Sequence, residues 1–151
     1  MAETIQRYNH TRQVLLHYGV ENQSGNFYME LLNDSATFDA TDTAKTDVDN
    51  AGAYEVSGNG WDVGGEAITV TVSVVNTDEA KWDAADLSIT ASGGNIGPAY
   101  KALVYLNVDN ADTDYPPLWF ITFDGSETAV SGNPFAVTFD SNGIEVFGDC
   151  T

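Results

Sequence analysis

The segment that most narrows the possible folds is Ile68-Thr69-Val70-Thr71-Val72-Ser73-Val74, in which apolar and hydroxyl side chains alternate without a break. Successive side chains of a strand point to opposite faces, so this period of two predicts a strand with one buried face. Two further runs, Ala102–Leu106 and Leu118–Phe123, are apolar at both parities. They read as central strands covered on both faces. Phe135–Phe139 repeats the alternation, and Asp140-Ser141-Asn142-Gly143 supplies turn residues ahead of Ile144–Phe147. That order predicts a C-terminal hairpin.

Weaker strands are expected at Arg12–Tyr18, Phe27–Leu32, Ala53–Val56 and Asp86–Ala91, each bounded by Gly, Asn, Asp or Ser. Only Thr41–Asn50 has the makings of a helix, with Thr41 or Asp42 as N-cap. About eight short strands and at most one short helix predict an all-β fold, a single-domain antiparallel β-sandwich of jelly-roll-like form. At 151 residues the chain suits one core. We divide it into an N-terminal arm (1–10), a β-sandwich domain (11–148) and a C-terminal tail (149–151).

Charge removes one class of partner. Five Lys and Arg against 23 Asp and Glu give a net charge of -18, which repels a phosphate backbone and argues against nucleic acid. The excess is uneven: residues 1–17 carry Arg7 and Arg12 against Glu3, and every other acid lies beyond them with only Lys45, Lys81 and Lys101 for company. No run approaches the ~20 apolar residues of a spanning helix. The first residues lack the apolar stretch of a signal peptide, so a soluble product made in the cytoplasm, away from membranes, is the expectation. The single cysteine, Cys150, provides neither a disulfide nor a thiolate metal site within one chain.

Catalytic groupings do not emerge. His10 and His17 are the only imidazoles, seven residues apart, and no Gly-x-Ser-x-Gly elbow is present. Among 23 acids no pair is singled out for glycoside cleavage, so no enzymatic activity is expected. Calcium competes for two acidic loops, one with Asp109, Asp112 and Asp114, the other with Asp39, Asp42, Asp47 and Asp49. Neither loop has EF-hand spacing with its central Gly and terminal Glu, and no cofactor is assigned. Trp119 lies in a doubly apolar run and reads as core, whereas Trp61 and Trp82 have polar neighbours. Those two are expected to be partly exposed and open to a sugar or a protein partner.

An ordered set of segments carries a resemblance: Met29–Asn33, Thr37–Ala40, Glu55–Trp61 with Gly64-Gly65, Trp82–Asp86, Ala91–Ala99, Ala102–Tyr105, and Pro117-Leu118 leading into Phe123. Together they resemble small virion proteins of tailed bacteriophages, similar to head decoration or capsid cement proteins. The resemblance implies a non-enzymatic protein that binds the outer surface of the assembled capsid in many copies and stabilises it. Its partners would be the major capsid protein and itself, as a trimer or dimer. A minor tail or neck component and a carbohydrate-binding β-sandwich module are the alternatives. For the shell contact, the charge asymmetry points to Arg7, Tyr8, His10 and Arg12, with Trp61 and Trp82 as further contacts. The competing reading of the same N-terminal segment is a first edge strand.

Overall fold

A computed structural model describes residues 3–18, 26–76, 79–108, 115–141 and 143–147. In chain order the elements are β1 (Glu3–Arg7), α1 (Thr11–Tyr18), β2 (Phe27–Leu32), α2 (Lys45–Asp49), β3 (Glu55–Val56), β4 (Glu66–Ile68) and β5 (Val70–Asn76). They continue with β6 (Glu79–Ala84), β7 (Leu87–Thr90), β8 (Ile96–Leu106), β9 (Pro117–Ala129), β10 (Pro134–Val137) and β11 (Glu145–Phe147). The two runs that are apolar at both parities, in β8 and β9, lie at the centre of the largest sheet, ordered β1-β9-β8-β2-β3 with β4 also paired to β2. Every described pairing is antiparallel.

Burial on both faces explains the doubly apolar strands. Ala102, Val104 and Leu106 of β8 enter one core, while Leu103 and Tyr105 enter another on the opposite face. The first core is closed by a second layer, the sheet β11-β6-β5 and the pair β10-β7, so the protein is a sandwich-like antiparallel β-domain. Trp82 on β6 meets Phe27 of β2 and Trp119 of β9 across the layers, at centroid distances of 5.8 and 5.5 Å. The second core lies under α2 and the chain between β2 and α2, where Ala36, Phe38 and Val48 cover Leu32, Leu103 and Phe120. β8 and β9 follow one another within one sheet, a local departure from a jelly roll, in which successive strands mostly alternate between sheets.

The alternating segment is divided between layers and keeps the expected buried face only in its first half, since Val72 and Val74 are exposed. Ile68 in β4 pairs with Phe27, and Val70 in β5 pairs with Ala84; both are buried. Thr69 between them is exposed, and its carbonyl accepts the Ala85 amide at 2.9 Å.

Four expectations are corrected. Arg12–Tyr18 belongs to helix α1, not a strand, so there are two short helices among the described residues. Arg, Gln and Leu favour helix, and Thr11, Val14 and Leu15 share the helical face that turns inward. The C-terminal hairpin does not form: the Asp140–Gly143 turn exists, but β10 pairs with β7 and β11 with β6. Phe135 is drawn into the core against Trp61, 5.4 Å away, while the Ile144 amide donates to the Trp82 carbonyl at 2.6 Å, and the two strands separate. The described part of the expected arm is strand β1, paired with β9 from Glu3↔Phe123 to Arg7↔Trp119. The edge-strand alternative is what forms there. The helix expected at Thr41–Asn50 is shorter, Lys45–Asp49, because Asp39 and Thr41 close a side-chain turn of their own.

Gly65 sets the approach of the turn before β4 to β2. It has a φ of 92°, and a methyl group there would run into the Met29 carbonyl. Gly65→Ala is therefore expected to cost about 2 kcal/mol, read as a lower urea midpoint with an unchanged slope.

Candidate functional site

Four of the six residues expected to make contacts come together where β1 passes into α1. The Tyr8 amide donates to the Leu118 carbonyl at 3.3 Å, and the Thr11 hydroxyl donates to the same carbonyl at 2.7 Å. The Asn9 amide donates to the Ala40 carbonyl at 3.0 Å, tying the junction to the chain ahead of α2. Arg7 and Arg12 are exposed here, whereas His10 is half-buried with both ring nitrogens turned inward, so it offers no polar atom to a partner. Burial holds the His10 pKa below its usual value, with the Pro117 backbone opposing in part. Its ring is predominantly neutral at neutral pH.

Tyr8 is different. It is fully buried against Phe38, with ring centroids 5.0 Å apart, and its hydroxyl has no hydrogen-bond partner among the described residues. Burial, together with the charges of Asp42 and Asp39, pushes its phenol pKa upward. Tyr8 is thus a core residue that anchors the junction and cannot serve as an exposed contact. Trp61 and Trp82 are corrected likewise: they are 1% and 3% exposed, in the first core on the other side of the central sheet. Lys81 and Asp83 beside Trp82 lie on the opposite face of β6 and pair with each other, and Asp62 beside Trp61 is exposed, so neighbours say little about the ring itself.

Sequence reasoning missed the most unusual electrostatic feature, which lies at the second core. Glu30 on β2 is 0% exposed. Its Oε2 is 2.9 Å from Lys45 Nζ, and Lys45 also pairs with Asp49 one helical turn away. One oxygen of Asp49 and both of Glu30 are buried without an aligned hydrogen bond. Burial raises the Glu30 pKa to about 7; Lys45 opposes this, and Asp49 and Glu55 add to it. Above it is an open cleft of about 310 Å³ lined by Lys45, Thr46, Asp49, Gly64, Tyr105 and Tyr115. The Tyr105 hydroxyl donates to the Gly64 carbonyl at 2.6 Å, and the Gly64 amide donates to Glu55 Oε1 at 2.6 Å. The Lys45 ammonium sits 5.6 Å from the Tyr105 ring centre.

The chemistry open to this cluster is narrow. Lys45 lies between two carboxylates, which keeps its ammonium charged and raises its pKa against the effect of burial. A charged ammonium is no nucleophile. Glu30 holds a proton near neutrality, yet its oxygens are sealed from the cleft, and an acid or base must reach the atom it serves. The cluster is a buried, pH-sensitive element of the fold. Its signal in the sequence was the single acid in the run Phe27-Tyr28-Met29-Glu30-Leu31-Leu32.

Three of the four carboxylates in the acidic loop at Asp39–Asp49 are used internally: Asp39 accepts from Thr41, Asp47 from the Ala44 amide, and Asp49 from Lys45. No group of three His, Cys, Asp or Glu suited to a metal occurs among the described residues. Asp109, Asp112 and Asp114, and the 149–151 tail, lie outside the described residues. No described helix is long and apolar enough to cross a membrane.

Fold and site together define a class, an antiparallel sandwich-like all-β domain with a buried ionic cluster. Comparison with protein-family models, curated proteins and solved structures finds no match for the chain.

Proposed function

We propose that the chain is a bacteriophage structural protein, a decoration or cement protein that binds the outer surface of the assembled capsid through the major capsid protein and stabilises the shell. The observation that carries this reading is the convergence of the segments with the phage resemblance. Met29–Asn33, Ala102–Tyr105 and Pro117–Phe123 contribute to three neighbouring strands of the central sheet, and Gly65 packs onto the backbone of the first. Trp82–Asp86 starts in the facing layer, at the Trp82 contact with β2 and β9. The likeness thus follows one structural unit. Arg7 and Arg12 remain the surface groups proposed for the shell contact, at the least acidic end of the sequence.

The sugar-binding alternative loses the platform it was built on, because Trp61 and Trp82 are buried. Quantitative mass spectrometry of purified virions that encode this chain tests the role. Many copies in a fixed ratio to the major capsid protein are expected. A handful of copies would instead make it a tail or neck component, and absence from the particle would overturn the reading.

A further inference from the structure

We infer that β5 is a pairing edge for a second copy of this chain, joining two domains through an antiparallel β5–β5 contact. β5 is the outer strand of the sheet β11-β6-β5, and no described strand pairs with its free side. From Thr71 to Val74 every side chain is exposed, so this end of the strand stands clear of both cores. Val72 is 37% and Val74 79% exposed. Edge strands of soluble proteins are ordinarily guarded by charge, proline or coverage. In a chain with a net charge of -18, the seven residues of β5 carry neither a charge nor a proline.

The pattern itself selects the occupant. Val70-Thr71-Val72-Ser73-Val74 has the same apolar and hydroxyl alternation read in either direction. Antiparallel pairing with an identical strand therefore sets valine opposite valine and hydroxyl opposite hydroxyl, with all the valines on one face. An even register keeps this match, and the twofold relation closes the assembly at two copies. The uncharged strand also lets two acidic bodies approach where no like charges meet on the edge itself. The irregularity between Val74 and Asn76 confines the regular ladder to the five alternating residues. One strand pair buries less than the ~1,200–2,000 Å² of stable complexes, so the contact belongs in the micromolar range and strengthens with salt.

This pairing is a property of the free protein and does not depend on the capsid role proposed above. Sedimentation velocity of the purified chain from about 5 to about 500 µM, at low and high salt, tests it over the range a weak interface occupies. A monomer–dimer equilibrium is expected, with the dimer favoured at high salt. Val74→Lys should weaken it at least about tenfold by setting a lysine opposite Val70 of the second copy, the charge that ordinarily guards an edge strand against pairing. It should leave the thermal midpoint unchanged, since Val74 makes no core contact. The lysine also makes the chain less negative, so an association driven only by overall charge would grow stronger, the opposite sign. A wild-type chain that stays monomeric throughout, or a dimer that Val74→Lys leaves intact or strengthens, would overturn the inference.

Discussion

Trp82→Ala is expected to lower the unfolding free energy by about 3–5 kcal/mol, the usual cost of removing a large buried aromatic. The indole sits between the layers, against Phe27 on one strand of the central sheet and Trp119 on another. Its main-chain carbonyl also holds the Ile144 amide, which helps bring β11 onto β6. Truncation would leave a cavity where neither rigid sheet can easily collapse. For a domain of this size the midpoint temperature should fall on the order of 10 °C, with far-ultraviolet circular dichroism retained below the transition. A midpoint within about 2 °C of wild type would show that Trp82 is not a core residue and would reopen it as a surface contact.

The second large effect runs the other way. Glu30 has a folded pKa raised from 4.5 to about 7. The folded chain therefore holds a proton that the unfolded chain releases between those values. Its contribution to stability is fully present below pH 4.5 and is lost as pH rises through 7. A shift of this size corresponds to about 3 kcal/mol of lost stability at pH 8. Glu30→Gln, which stays neutral at every pH and leaves the Lys45–Asp49 pair in place, should recover that amount at pH 8. The gain should shrink to nothing near pH 4.5, the value at which the unfolded carboxyl titrates.

Comparing the two proteins at each pH matters because His10 acts in the opposite sense. Its pKa is lowered on folding, so protonation of its ring below the ordinary value of 6.5 costs stability. That term is common to both proteins and cancels in the difference. Urea midpoints of wild type and Glu30→Gln from pH 4.5 to pH 8 supply the measurement. A difference independent of pH would mean that Glu30 is ionised throughout in the folded state.

Both expectations concern groups whose position, rather than identity, gives them their effect. Trp82 looked like an accessible ring because Lys81 and Asp83 flank it. Within β6 those neighbours point the other way, form an ion pair at 3.3 Å, and leave the indole to the core. Glu30 was one acid among 23. What distinguishes it is that β2 is covered on both faces, so a residue on either face is buried whatever its polarity.

What the sequence determined by itself was local and periodic. Alternation at Ile68–Val74, and apolar content at both parities in β8 and β9, were enough for an all-β sandwich-like domain and for its central strands, because side-chain period and burial are coupled along a single strand. The choice of neighbours was decided only by the tertiary structure. The residues of β10 and β11 read as a hairpin, yet each found a different edge, since backbone hydrogen bonds are interchangeable among strands of like pattern and the winner is the pairing that also buries Phe135 and Trp82. The same holds at Thr11–Tyr18, where a short segment of mixed preference became a helix because its Thr11 and Leu15 could be buried at the β1 junction. The Glu30–Lys45–Asp49 cluster likewise exists only after folding. A strand and a helix separated in sequence must pack on one sheet face before three scattered charges become one buried group whose proton affinity responds to the fold.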